Sequence, residues 1–317
     1  MPVPEPDPAA APLWVVTGPT ASGKTTLALA LAERLGLEIL SMDSMAVYRQ
    51  MDVGTAKPTV EERARVPHHL VDLVAPSEVY DTARWCQDAA AALADLATRG
   101  RRALFVGGTP LYLMAFFKGM LQGPGADAEL RARLEERERQ DPGCLYAELG
   151  RRDPDAATRI HARDLRRIVR ALEVLELTGR TISSQQDHFA RPDWLRPCRI
   201  AAVLRDRDDL HARVKARTEA MLAGGLLDET EAIERSGGFS LTSGGAIGYA
   251  ECREFLRGRF KDRTELRNRI RRNTHRLIRR QMTWLRRLPE TVWLSPERGV
   301  DGLQTALATE ASRTGHR

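Results

Sequence analysis

Cysteine is scarce in this chain. Cys86, Cys144, Cys198 and Cys252 are the only four in 317 residues, and no two stand close enough for a C-x-x-C pair. A disulfide framework and a zinc site are therefore not expected, and ordinary buried thiols are. No stretch of about 18 apolar residues occurs, which argues against a membrane-spanning helix. No internal repeat is visible, so solenoid and propeller architectures fall away. Met1 to Pro12 lack an apolar signal region. They are proline-rich and acidic and read as a disordered leader, with the cytoplasm as the expected compartment. A convincing set of helicase motifs is missing as well.

What the chain does have is core-forming material and concentrated positive charge. Its 42% hydrophobic and 29% charged residues are those of an ordinary soluble protein with one large or two modest domains. The net charge is +6 and the pI about 9.4. Between Arg253 and Arg287 fourteen Arg or Lys face three acids (Glu254, Asp262, Glu265), a surplus of eleven that exceeds the charge of the whole chain. A second cluster comprises Arg159, His161, Arg163, Arg166, Arg167 and Arg170, opposed by Asp164. Arg166 and Arg170, four apart, share a helix face. From Arg131 to Arg139 arginines and glutamates balance, as on a solvated helix face. After Arg253 the acids are too few for that, and contact with a nucleic-acid backbone is expected.

The hydrophobic pattern reads as strand, turn, helix, strand. Leu13–Thr17 is a short apolar, partly β-branched run. Thr25–Leu35 carries apolar residues at helical spacing and stops at Gly36. Glu38–Met42 reads as a second strand ending at Asp43, Thr82–Thr98 as an alanine-rich helix, and Ala103–Val106 as a third strand closed by Gly107-Gly108-Thr109. That order argues for an α/β fold with a parallel sheet. Gln122-Gly123-Pro124-Gly125 reads as a linker, and only helical signals follow to about Gln186, including the cap-and-proline pair Asp153-Pro154. A strand over Arg199–Leu204 returns the chain to the sheet. Helices are expected at about Asp208–Ala223, Ala246–Arg257 and Arg263–Arg287, with a mobile loop at Gly237–Gly245. His68 and His69 are adjacent and point to different sides of a strand, which favours a structural role over a metal pair.

Gly18-Pro19-Thr20-Ala21-Ser22-Gly23-Lys24-Thr25 fits G-x-x-x-x-G-K-[ST], with a strand before it and a helix after. In such a P-loop the glycines let consecutive N–H groups point at phosphate oxygens. The helix adds its positive end, the lysine a point charge, and the Thr25 hydroxyl a ligand for Mg2+. The motif calls for a di- or triphosphate without specifying ATP. The fold expectation is accordingly a P-loop NTPase-like core over residues 13–121 and 199–317, with an all-helical insertion domain over residues 122–198. Asp43 ends the strand beside the P-loop strand, where α/β sheets place ligands. It suits a Walker B carboxylate, a general base or a turn aspartate, and Ser44 suits either functional role. Thr109 could face the same crevice.

These residues also carry a family resemblance. GPTASGKT (Gly18–Thr25), DSMAVY (Asp43–Tyr48), MDVGTAKP (Met51–Pro58), PHHLVD (Pro67–Asp72), GGTPLY (Gly107–Tyr112), RRIVRALEV (Arg166–Val174), AIGYAE (Ala246–Glu251) and RRQMTWL (Arg279–Leu285) resemble the bacterial tRNA dimethylallyltransferases, from about Leu13 to Leu294. The resemblance implies transfer of a dimethylallyl group from dimethylallyl diphosphate to N6 of the adenosine at position 37, beside the tRNA anticodon. The P-loop would then hold the isoprenoid diphosphate, with Mg2+ at Thr25 and Arg280 among the cations. Asp43 would be the general base, with Thr109 and Arg131 contacting tRNA or steadying the reacting groups. The tRNA would meet Asp43, Ser44, Met45 and Ala46, and also Arg166, Arg167, Ile168, Val169 and Arg170. A monomer is expected. Three positions depart from the family: Ala46 stands where glutamine is frequent, Arg166-Arg167 where Gln-Arg is, and His275 where an arginine is. Two other classes fit the bare motifs: a P-loop kinase or ATPase acting on or near RNA, and a non-catalytic P-loop protein that binds RNA.

Overall fold

The computed structural model describes residues 11–119, 124–185, 195–288 and 291–308. The leader expected at residues 1–12 falls almost wholly outside them. The chain divides into two compact units, one of Met1–Leu113 with Arg196–Arg317, the other Met114–Leu195. The sequence pattern put the insertion at 122–198. The linker read at 122–125 lies partly outside the described residues, and the earlier limit arises because one helix, α4 (Pro110–Phe117), runs past Leu113.

The first unit is built on a six-stranded sheet. Its strands are β1 (Leu13–Thr17), β2 (Glu38–Ser41), β3 (His68–His69), β4 (Ala103–Val106), β5 (Cys198–Val203) and β6 (Thr291–Leu294), in the order β3-β2-β4-β1-β5-β6. Every pairing is parallel, with Val15 opposite Phe105 on one side and Ile200 on the other. Parallel strands covered on both faces need continuous apolar runs, and the central strands have them: β2 and the last three residues of β1 and β4 are buried throughout. Because all strands run one way, the turns after β1, β2 and β4 emerge on one edge, where such sheets place ligands.

Helices α1 (Lys24–Leu35), α2 (Val60–Arg65) and α3 (Thr82–Thr98) follow the early strands. α1 stops at Gly36, whose φ of 61° lets its N–H reach back to the Ala32 carbonyl. Later come α10 (Arg207–Ala223), α11 (Leu226–Arg235), α12 (Tyr249–Leu256), α13 (Arg263–Leu285) and α14 (Gly299–Ala308). The sequence pattern missed α2, α4, α11, β6 and α14. β6 is a four-residue run, TVWL, with only Leu294 buried, and α14 joins the core through little more than Leu303 and Leu307, packed against Leu29, Leu31 and Val203. The edge histidines are structural: His69 Nε2 meets the buried Glu38 at 2.7 Å, and Arg99 and Arg101 hold the Glu38 carboxyl down to about 2. His68 Nδ1 meets the Val66 carbonyl. Among the described residues no three His, Cys, Asp or Glu converge on a metal site, and no helix is long and apolar enough to cross a membrane.

The second unit holds helices only among its described residues: α5 (Ala128–Gln140), α6 (Cys144–Arg152), α7 (Pro154–Arg159), α8 (Leu165–Thr178) and α9 (Ile182–Gln185). Asp127, Asp153 and Asp164 cap α5, α7 and α8 by accepting backbone N–H groups, with Pro154 opening α7 and Gly179 closing α8. Leu130, Leu134, Leu145, Leu149, Val169 and Leu172 form its core.

The ligand edge of the sheet depends on close backbone approach. A Cβ on Gly107 would lie 2.2 Å from the Met42 carbonyl oxygen, so only glycine lets β4 end beside the Asp43 turn. Gly107→Ala is expected to lower unfolding stability by about 1–3 kcal/mol, the range for overpacking a tight site. Urea titration checks this, and an unchanged midpoint would contradict the packing described.

Candidate active site

The P-loop follows β1. Gly18 (φ 145°) passes so close to β5 that a Cβ would sit 2.4 Å from the Val203 carbonyl oxygen; Ala21 (φ 67°) and Gly23 (φ 88°) complete the turn into α1. Left-handed backbone at a non-glycine residue such as Ala21 is strained and clusters at functional turns. The Ser22 hydroxyl is wholly buried with no hydrogen-bond partner among the described residues, a donor left over inside the loop. Thr25 is exposed, and its hydroxyl makes no hydrogen bond among the described residues. Lys24 retains some exposed area, but its ammonium is enclosed and lies 3.3 Å from the Pro19 carbonyl. Burial lowers its pKa to about 8; Asp43 pulls it up and Arg217 pushes it further down.

Two residues not singled out from the sequence complete this cradle. Arg217, on α10, donates to the Thr20 hydroxyl (3.3 Å) and to the Thr55 carbonyl (3.2 Å). Burial lowers its pKa, and Asp43 partly offsets that. Gln281, on α13, accepts from the Thr20 N–H (3.0 Å) and donates to the Gly108 carbonyl (2.7 Å), joining the P-loop to the turn after β4. Both stand at core-face positions of their helices. Arg217 is in step with the buried Leu210, Val214 and Met221, and Gln281 with Ile270, Ile278 and Leu285. A polar residue on an apolar stripe is the signal that could have found them.

Asp43 follows β2. One carboxylate oxygen accepts the Met45 N–H (2.8 Å), and the other accepts no hydrogen bond among the described residues. The Ser44 N–H donates to the Thr109 hydroxyl (3.2 Å), while the Thr109 N–H donates to the Met42 carbonyl. Thr109 thus braces the turn that presents Asp43. Gly108 lies where a Cβ would be 3.4 Å from Lys24 Nζ, so the three turns converge on the lysine. Ser44 and Met45 are half-buried at the site. Ala46, expected at the RNA, is only 5% exposed and sits in the core.

The remaining expected site residues are placed differently. Arg280 is exposed on α13, and it is its neighbour Gln281 that turns to the P-loop; a one-residue step rotates the side chain by about 100°. Arg131 and Arg170 belong to the helical unit, whereas Asp43 and Thr109 belong to the sheet unit. There both grip the fully buried Glu173, at 2.7 and 2.6 Å, and Arg170 also donates to the Pro124 carbonyl. Ile168 and Val169, expected at the RNA, are core residues of that unit, because they lie on the buried face of α8; Arg166 and Arg167 are exposed. His275 packs against His211 with ring centroids 4.2 Å apart. Desolvation, His211, Arg279 and Arg207 lower its pKa, which favours the uncharged ring. The Gly237–Gly245 segment is tied down rather than loose: Thr242 Oγ1 accepts from the Tyr48 hydroxyl (2.7 Å) and the Tyr80 N–H, and the Ser243 hydroxyl donates to the Pro76 carbonyl.

Two sets stand out within the arginine-rich segment. Arg253, Arg257, Arg267 and Arg271 find acids outside the segment, at Glu234 and Glu219. Arg272, Arg276, Arg279 and Arg280 are exposed, form no ion pair among the described residues, and recur at the spacing of one face of α13.

Residues 46–288 match the family model for IPP transferase, and residues 11–69 that for isopentenyl transferase. The chain is 49% identical over 286 residues to the tRNA dimethylallyltransferase of Anaeromyxobacter dehalogenans (strain 2CP-C), covering 90% of this chain and 95% of the relative. It is 42% identical to that of Thermotoga maritima, covering 88% and 90%. Among solved structures it resembles the tRNA isopentenylpyrophosphate transferase of Bacillus halodurans, with a TM-score of 0.65, 36% identity and 90% coverage of both chains. It also resembles a eukaryotic dimethylallyltransferase acting on tRNA, with a TM-score of 0.76, 26% identity and coverage of 90% of this chain and 74% of the other.

The Lys24 charge makes phosphate binding pH-dependent. The ammonium is charged below about pH 8 and neutral above it, and a bound anion favours the charged form. Inorganic pyrophosphate should therefore bind about tenfold more weakly at pH 9 than at pH 7, relative to Lys24→Arg, which stays charged throughout. Calorimetric titration of both proteins checks this; parallel profiles would contradict it.

Proposed function

The chain belongs to the IPP transferase family, and from that premise we propose that it transfers the dimethylallyl group of dimethylallyl diphosphate to N6 of the adenosine at position 37 of tRNA. The observation that carries the reading is the pairing of an enclosed cationic cradle with a carboxylate whose second oxygen is uncommitted. The diphosphate fits the P-loop amides, Lys24, the idle Ser22 hydroxyl and Arg217, which replaces Arg280 in that role. The kinase or ATPase reading is set aside, since the relatives at 42–49% identity are named tRNA dimethylallyltransferases.

In the reaction the adenosine N6 attacks C1 of the prenyl chain. The N6–C1 bond forms as the C1–O bond to diphosphate breaks, and the N6 proton passes to Asp43. A carboxylate is needed because an exocyclic adenosine amine is a weak nucleophile until its proton is taken. Thr109 and the Met45 N–H fix the carboxylate's orientation. Charge developing on the leaving diphosphate is met by Lys24, Arg217 and the P-loop N–H groups, set in place before the reaction. Mg2+ fits the exposed Thr25 hydroxyl, since it binds through few protein oxygens together with substrate phosphates, and when bound it neutralises diphosphate charge. The target base must leave its stack to reach the site. Arg166 and Arg167 of the helical unit and the Arg272–Arg276–Arg279–Arg280 face of α13 are suited to the phosphates of the anticodon arm.

Incubation with unmodified tRNA, Mg2+ and dimethylallyl diphosphate, followed by digestion and mass analysis, should show a dimethylallyl gain on adenosine that ATP does not support. Asp43→Asn should reduce it by about 10²–10⁴-fold, the range for a general base, while tRNA affinity holds. ATP consumption without prenylation would instead revive the kinase reading. A second outcome concerns the RNA face: Arg272→Gln with Arg276→Gln and Arg279→Gln should lower the slope of log affinity against log salt by about 2. An unchanged slope would place the RNA elsewhere.

A further inference from the structure

The segment after the Asp43 turn, residues 48–58, is held in place far more firmly than a surface loop requires. Lys57 is buried there, its side chain 2% exposed. Its ammonium donates to the Tyr48 carbonyl (2.5 Å), Asp52 Oδ1 (2.6 Å) and Asp72 Oδ1 (2.5 Å), which uses all three of its protons. Asp72 Oδ2 is taken by Arg63 at 2.6 Å. A buried ammonium is tolerated only when so paired, and losing a partner is costly in proportion to how buried that partner is.

A second clamp holds the other side of the segment. The Glu229 carboxylate accepts the Asp52 and Val53 N–H groups at 3.1 Å. The Tyr249 hydroxyl donates to Glu229 and accepts the Gly54 N–H. Gly54 lies so close to the Tyr249 ring that a Cβ would sit 2.3 Å from it. Between the clamps the backbone is strained: Gln50 (φ 65°) and Ala56 (φ 49°) are left-handed, as are Leu70 (φ 64°) and Asp72 (φ 57°) on the facing turn. Strain of this kind persists where the surroundings over-determine the backbone, and it concentrates at functional sites.

What the clamps hold is the Thr55 carbonyl. It lies between the anchored Gly54 and the Ala56-Lys57 turn, and it accepts Arg217 Nη2 at 3.2 Å. The other end of the same guanidinium meets Thr20 of the P-loop. Arg217 is thus suspended between the P-loop and a carbonyl whose position Lys57 sets.

We propose that Lys57 is a positioning residue for prenyl transfer: by locking residues 48–58 it fixes the Thr55 carbonyl, and through it aims Arg217 at the diphosphate. This rests on the reading that Arg217 holds the diphosphate. Lys57 therefore acts on donor binding and on the leaving group, not on RNA capture, although it lies in the segment that follows the Asp43 turn.

A double-mutant cycle on the full chain tests it, using Lys57→Met, Arg217→Gln and the pair, with inorganic pyrophosphate affinity, donor kcat/KM and tRNA affinity as readouts. Lys57→Met should weaken pyrophosphate binding about tenfold and leave tRNA affinity unchanged, and the double variant should be no weaker than Arg217→Gln alone. Losses that multiply would show that Lys57 acts independently of Arg217 and would overturn the inference. So would unchanged pyrophosphate binding in a folded Lys57→Met protein. If Arg217→Gln alone leaves pyrophosphate binding intact, the Arg217 reading fails and this inference with it. Should Lys57→Met not fold by circular dichroism, Asp52→Asn takes its place in the cycle. Asp52 is 61% exposed and supplies one of the three acceptors, so a smaller loss with the same non-additivity is expected.

Discussion

Lys24 and Arg217 are two enclosed cations that share a single carboxylate, Asp43. Burial works against the charge on both, each draws stabilisation from Asp43, and Arg217 opposes the charge on Lys24. A site with this imbalance is incomplete by itself, because cations taken out of water need counter-charge and hydrogen bonds to replace what they lose. A diphosphate supplies both. Asp43 stands within electrostatic reach of both cations, and one of its oxygens is held by the Met45 N–H.

The sheet makes this concentration possible. Parallel strands deliver the turns after β1, β2 and β4 to one edge, and glycines at 107 and 108 let those turns approach each other more closely than a side chain would allow, while Gly18 lets the P-loop pass close to β5. Gln281 then bridges two of them with one amide, accepting from Thr20 and donating to Gly108. That bond pair ties α13 to the reaction centre. The helix that turns Gln281 inward presents Arg272, Arg276, Arg279 and Arg280 outward, so the P-loop contact and the exposed arginine face are carried by one element.

Much of this was legible in the sequence where the signal is local. The P-loop, β1, α1, β2, α3 and β4, the cap at Asp153 and the stop at Gly179 follow from residue spacing and from backbone chemistry. Asp43 was found because a strand end beside a P-loop is where ligands gather. The parts that escaped depend on tertiary context. Arg217 sits in an arginine- and lysine-rich helix, where one more basic residue attracts no notice, and Gln281 is hidden among arginines. The resemblance put a diphosphate-binding arginine at Arg280, one residue from Gln281, the side chain that turns inward. Ile168 and Val169 were drawn into the RNA surface by the arginines around them, although their apolar side chains belong to the α8 core. β6 and α14 are short and meet the core at few residues. The Lys57 network could not be read at all, since its acids at 52 and 72 and the carbonyl at 48 come together only when the loop closes.

The central claim, that Lys24 and Arg217 grip a diphosphate with Asp43 facing the carbon it releases, is tested most directly by a crystal structure with Mg2+ and a thio-linked, unreactive analogue of dimethylallyl diphosphate. The account predicts diphosphate oxygens within hydrogen-bonding distance of the P-loop N–H groups, Lys24 Nζ and the Arg217 guanidinium, with the prenyl C1 on the Asp43 side. A diphosphate seated on Arg280, or anywhere that leaves Arg217 bonded only to Thr20 and Thr55, would contradict it.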